Sequence, residues 1–156
     1  MKTIYHDVKR NEEFEREFGG VYKQSLDDLL KEADFVSLHV PLLPSTHHLI
    51  SNSQLALMKP SAFLINTSRG PVVDEKSLLN ALKNKTIAGA ALDVYECEPS
   101  IDCDPTDQLE LRKLNNVVLT PHTASATVET RQAMSHTAAF NIIEALDGRT
   151  PPNLIS

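Results

Sequence analysis

Three side chains able to do chemistry stand just past apolar runs, where an open α/β sheet presents its strand ends to a ligand. Leu64-Ile65-Asn66-Thr67-Ser68-Arg69-Gly70 sets an arginine after one run and before a glycine that permits a tight turn. A guanidinium there can grip a carboxylate through two parallel hydrogen bonds. Its plainer alternative is a surface pair with Asp74. Gly89-Ala90-Ala91-Leu92-Asp93-Val94-Tyr95 leads into Glu96-Cys97-Glu98-Pro99, and Val117-Val118-Leu119-Thr120-Pro121 leads into His122-Thr123-Ala124-Ser125. A glutamate bonded to one imidazole nitrogen favours imidazolium and readies the other nitrogen as a proton donor. The alternative for His122 is a helix-entry residue satisfied by backbone.

Asp7 ends the run Thr3-Ile4-Tyr5-His6. A carboxylate at such a tip can accept both ribose hydroxyls of an adenine nucleotide and repel a 2′-phosphate. Turn chemistry alone could also place it there. Lys9 and Arg10 follow and could draw a phosphate back, so the pattern favours NAD over NADP without excluding NADP.

Other reactive residue types carry less. No motif surrounds Cys97, so a free packing thiol is its simpler reading. Cys97 and Cys103 suit neither a disulfide framework nor a metal knuckle, which points to a reducing, cytoplasmic setting. His47 and His48 are neighbours whose side chains diverge, and Asp102, Asp104 and Asp107 read as a solvated acidic loop. No metal site is expected. A net charge of -6 argues against a nucleic-acid-binding face, and no stretch is apolar enough for a membrane span or signal peptide.

The elements that must position these residues alternate. Short apolar runs over 2–6, 35–40, 62–66, 87–94 and 117–120, with a very short one at 21–22, read as strands. Helices are predicted over 25–31, capped by Ser25, over 74–83, capped by Asp74, and over 127–146, stopped by Gly148. The small residues of Gly89-Ala90-Ala91 suggest close approach by a neighbour or flat ligand. The chain of 156 residues is long enough for one α/β domain with a real core. A dinucleotide-binding unit opens with strand, Gly-x-Gly-x-x-Gly and helix, and no such glycine pattern occurs here.

Together these motifs resemble the D-isomer-specific 2-hydroxyacid dehydrogenases, over residues 3 to about 154. Asn66-Thr67-Ser68-Arg69-Gly70 with Val73-Asp74 resembles the family's arginine signature, Ala91 to Tyr95 with Glu98-Pro99 its glutamate signature, and Pro121 to Ser125 its histidine signature. The resemblance implies that Arg69 binds the substrate carboxylate and 2-oxygen, that His122 is the general acid, and that Glu98 orients and charges His122. Glu98 is chosen over Glu96 because it directly precedes Pro99. Asp93 would bind the nicotinamide carboxamide, and Asp7, Val40, Pro41, Thr46, Thr67, Ser68, His122 and Ser125 would also contact the cofactor, NAD rather than NADP. Pro152-Asn153-Leu154 is most similar to the glyoxylate/hydroxypyruvate reductase branch.

These readings imply a Rossmann-like doubly wound parallel sheet that is incomplete, lacking its first strand and Gly-rich loop. Residues 1–147 would be a partial NAD-binding domain and 148–156 a tail leading toward an absent substrate domain. The absent strand would lie between the strands at 2–6 and 35–40, leaving unpaired edges and an uncovered apolar face. The expectation is a truncated chain acting on a small 2-oxoacid or 2-hydroxyacid in its full-length, homodimeric parent, and inactive alone. The alternative from another class is an NAD-responsive corepressor-like interaction protein. A third is a fragment with no function of its own.

Overall fold

The computed structural model describes residues 1–98 and 104–154; Pro99, Asp102 and Cys103 of the motifs above lie outside the described residues. Strands and helices alternate: β1 (Ile4–Tyr5), α1 (Glu12–Phe18), β2 (Val21–Tyr22), α2 (Leu26–Glu32), β3 (Phe35–Leu38) and α3 (Asn52–Leu57) come first. Then follow β4 (Phe63–Asn66), a 3-10 turn at Gly70–Val72, α4 (Glu75–Lys83), β5 (Gly89–Leu92), α5 (Thr106–Leu111), β6 (Val117–Leu119) and α6 (Val128–Leu146). The chain falls into two compact units, Met1–Pro121 and His122–Ser156.

In the first unit all strand pairings are parallel. β3, β4, β5 and β6 form one sheet in that order, with Val36 opposite Leu64, Leu64 opposite Ala90 and Leu92 opposite Leu119. β1 and β2 form a separate pair. The break therefore falls between β1 and β3, where the expected gap lies. Because the four strands run the same way, the segments leaving β4, β5 and β6 emerge along one edge.

Strand β3 alternates, with Val36 and Leu38 buried and Phe35 and Ser37 exposed, as a period of two demands. Val36, Leu38, Leu64 and Leu92 share one core with Leu30 of α2, Leu55 of α3, Leu78 of α4 and Leu111 of α5. The opposite face is open: Phe35 and Phe63 stack at 5.5 Å yet remain 61% and 41% exposed. That is the uncovered apolar face the sequence predicts.

Asp74 caps α4 as expected, accepting the Ser77 N–H at 3.0 Å and its hydroxyl at 2.8 Å. Such a cap contributes about 1 kcal/mol. Ser25, by contrast, makes no side-chain cap bond to α2. Three short helices go beyond the sequence reading. α1 shows only Phe14 and Phe18 as apolar residues among charges, and its signals are the Asn11 cap and Gly19 at φ 67°. α3 starts at a capping box between Ser51 and Gln54. α5 places Asp107 in a helical first turn, so the acidic stretch is not all loop. No helix of the described residues is long and apolar enough to cross a membrane.

Candidate active site

The arginine turn is built on Asn66, the last residue of β4, which is 1% exposed. Its Oδ1 accepts the N–H of Ser68 at 3.1 Å and the Ser68 hydroxyl at 2.9 Å, and its Nδ2 donates to the Arg69 carbonyl at 2.9 Å. One buried amide thus folds Thr67-Ser68-Arg69 into a fixed turn. Arg69 is exposed, and its Nη1 donates to the Ser68 carbonyl at 2.7 Å. It does not pair with Asp74, whose carboxylate is taken by the α4 cap. Among the described residues the guanidinium meets no carboxylate, which suits a group meant for an external one. Thr67 is exposed beside it and Ser68 half-buried.

The glutamate turn leaves β5 next door. Asp93 is buried, donates its N–H to the Asn66 carbonyl at 3.0 Å and accepts the Thr120 hydroxyl. It therefore ties the ends of β4, β5 and β6 together, a structural role the sequence reading did not anticipate. Tyr95 donates its hydroxyl to the Thr120 carbonyl at 2.7 Å, and burial pushes that phenol's pKa up. Glu98 is exposed, and its Oε2 accepts the Tyr95 N–H at 3.3 Å. Glu96 differs: it is half-buried and held by both His48 and Glu75. Of the two, Glu98 is the more exposed. Cys97 is buried and disulfide-bonded. This corrects the free packing thiol expected and removes the cysteine-based argument for a reducing compartment.

Beyond β3, Val40 packs partly buried against the core. The Pro41 carbonyl accepts the Thr46 hydroxyl at 2.6 Å, and Thr46 Oγ1 accepts the Leu43 N–H at 2.8 Å. Thr46 therefore closes its own loop. At the tip of β1, Asp7 is exposed, with one carboxylate oxygen accepting the Val8 N–H at 2.6 Å. Asp7, Lys9, Arg10, Asn11 and Glu12 line a cleft of about 650 Å³. Arg10 is engaged elsewhere: its Nε and Nη2 donate to the two carboxylate oxygens of Glu15 at 2.8 and 2.7 Å. Glu15 also accepts the Tyr5 hydroxyl at 2.7 Å, and with Arg10 as the larger cause its pKa falls to about 2. An open carboxylate beside a sequestered arginine suits a ribose diol better than a 2′-phosphate. Among the described residues, no group of three His, Cys, Asp or Glu side chains could hold a metal ion.

The second unit begins with His122, an exposed residue at φ 54°. Left-handed backbone is uncommon for a non-glycine residue and clusters where structure holds a side chain for a task. Ser125 is half-buried, the Ala126 N–H donates to the Thr123 carbonyl at 2.9 Å, and Thr127 caps α6 through the Thr130 N–H at 3.2 Å. These bonds shape the 122–127 segment within its own unit.

A family model described as D-isomer specific 2-hydroxyacid dehydrogenase, NAD binding domain, matches residues 1–124. Over all 156 residues the sequence is 52% identical to a glyoxylate reductase of Korarchaeum cryptofilum and 51% identical to one of Thermococcus litoralis, covering 45% of each. Among solved structures, a D-isomer specific 2-hydroxyacid dehydrogenase from Lactobacillus delbrueckii ssp. bulgaricus in its NAD-complexed form matches with a TM-score of 0.89. It is 39% identical, and the match covers 99% of this chain and 49% of that one. A D-lactate dehydrogenase with NAD+ from Lactobacillus jensenii gives a TM-score of 0.88 at 36% identity, over 99% of this chain and 48% of that one. The chain spans about half the length of the curated relatives it matches.

Proposed function

Since the chain belongs to the D-isomer specific 2-hydroxyacid dehydrogenase family, within its NAD-binding part, we propose that it serves the interconversion of a glyoxylate-like 2-oxoacid and its 2-hydroxyacid. The observation that carries this reading is Arg69, held by the Asn66 turn at the sheet edge with its guanidinium directed to no carboxylate of the described residues. Names of the two reductases above supply the substrate class; the corepressor-like reading draws no support from them.

NAD(H), the family's cofactor, supplies or takes the hydride when bound. Asp7 would hold its adenine ribose, Asp93 the carboxamide of its nicotinamide, and Val40, Pro41, Thr46, Thr67, Ser68, His122 and Ser125 would complete the contacts. Arg69 binds the substrate carboxylate and polarises the 2-oxygen through its fork of donors. His122 gives a proton to that oxygen in reduction and takes it back in oxidation. Glu98 favours the protonated form of His122. These roles follow the family pattern of the three signatures. The proposed partners are a small 2-oxoacid or 2-hydroxyacid and a second copy of the protein.

The 156 residues hold no Gly-x-Gly-x-x-Gly, and β1 does not pair with β3. On these grounds we propose that the chain by itself binds NAD weakly and turns over little. The test is a fusion of this chain behind the N-terminal part of the Korarchaeum glyoxylate reductase, assayed for glyoxylate-dependent NADH oxidation. Arg69→Gln in that fusion should raise the KM for glyoxylate by about 100-fold, the worth of two charge-assisted hydrogen bonds. An unchanged KM sinks the assignment of Arg69.

A further inference from the structure

Glu96, two residues before Glu98, is gripped from two sides. Glu75, the first residue of α4, accepts the Glu96 N–H on its Oε1 at 2.8 Å, and its own N–H donates to Glu96 Oε2 at 3.3 Å. His48 reaches Glu96 Oε1 through its Nε2. To do so, His48 sits at φ 51°, and its N–H donates to the Pro71 carbonyl at 2.8 Å. Both gripping residues are thus fastened to the segment that follows Arg69.

Neither feature is what plain folding would choose. Glu75 is 4% exposed, a carboxylate buried at a helix start where an apolar or capping residue would cost less. Burial, then the charges of Glu96 and Asp107, push its pKa up against the single N–H that Glu96 offers. His48 occupies left-handed backbone that asparagine or glycine would adopt more readily. Neither residue has a role in the chemistry described above.

What they share is leverage on Glu98. The Glu98 carboxylate folds back onto the Tyr95 N–H, and Tyr95 is itself anchored to the Thr120 carbonyl. Tyr95 therefore joins two peptides back to back: the one before it, whose N–H holds the Glu98 carboxylate, and the one after it, whose Glu96 N–H is held by Glu75. We propose that Glu75 and His48 clamp Glu96 and so fix the position of Glu98, making both of them positioning residues for the site. The proposal rests on the reading of Glu98 as the carboxylate that serves proton transfer.

The test uses carbon-13 and nitrogen-15 NMR of the 156-residue chain. Glu75→Ala removes the acceptor for the Glu96 N–H; Glu75→Gln keeps an oxygen in its place. His48→Asn suits the positive φ but is too short to reach Glu96, and it lies where loss of folding is not expected. The clamp requires that Glu75→Ala and His48→Asn shift the Glu98 Cδ and Tyr95 N–H resonances by more than their linewidths, and that Glu75→Gln returns both to wild-type positions. Should Glu75→Ala fail to fold, His48→Asn alone decides. Glu98 and Tyr95 resonances unmoved in the folded variants overturn the clamp. The parent reading fails separately, if Glu98→Gln leaves glyoxylate turnover of the fusion unchanged.

Discussion

Gly70 lies against the backbone of Tyr95 so closely that a methyl group on it would fall 1.9 Å from the Tyr95 carbonyl carbon and oxygen. The same group would come within 2.5 Å of the Glu96 nitrogen. The turn that carries Arg69 and the turn that leads to Glu98 are thus in direct backbone contact, and neither can shift without the other.

Gly70→Ala should therefore behave as overpacking against main chain, which cannot rotate away. The expected loss of stability is about 1–3 kcal/mol or more, read as a lower urea midpoint at unchanged slope. A midpoint equal to wild type would mean that the two turns are not interlocked.

Asn66→Ala should strip the arginine turn of its organiser. With the amide gone, the Ser68 N–H loses its acceptor in a half-buried place and the Arg69 carbonyl keeps only the Val72 N–H, at a cost of about 1–3 kcal/mol. Amide exchange at Ser68 should quicken in the same variant. Protection of that amide at the wild-type level would show that the turn stands without Asn66.

Much of this architecture was legible in the sequence because parallel strands leave compact apolar runs followed by their functional residues. The runs ending in Asn66, Leu92 and Leu119 put Arg69, Glu98 and His122 just past strand ends. The gap between β1 and β3 was legible for the same reason, from the missing glycine pattern. Long-range polar pairing was not. Nothing in the spacing of His48, Glu75 and Glu96 announces that three segments up to 48 positions apart meet at one carboxylate. The sequestering of Arg10 by Glu15 could have been suspected from helix α1, but its few apolar residues hid that helix. The disulfide at Cys97 was misjudged because two cysteines alone make no framework.

Freed from Glu15, Arg10 should become available to a phosphate. Glu15→Gln is expected to tighten binding of adenosine 2′-monophosphate by roughly threefold to tenfold, with adenosine 5′-monophosphate little changed. Ligand-observed NMR can follow both. Equal effects on the two nucleotides would remove Arg10 and Glu15 from any part in NAD preference.

Glu75 gives stability a pH dependence whose sign is fixed. Its folded pKa is raised by burial above that of the unfolded chain, so the native state holds the proton more tightly. The stabilisation is complete below the ordinary carboxylate range and is lost as pH rises through the raised value. Glu75→Gln should therefore gain stability relative to wild type as pH increases from about 4 to about 8. Parallel unfolding curves for the two proteins across that range would contradict it.

His122 is the proposed proton donor for reduction of a 2-oxoacid. In the fusion with the N-terminal part of the Korarchaeum relative, glyoxylate-dependent oxidation of NADH should appear, and His122→Gln should lower kcat by about 10²–10⁴-fold with the KM for NADH nearly unchanged. A His122→Gln fusion that turns over as fast as the unsubstituted one, or an unsubstituted fusion that binds NADH and leaves glyoxylate untouched, would contradict it.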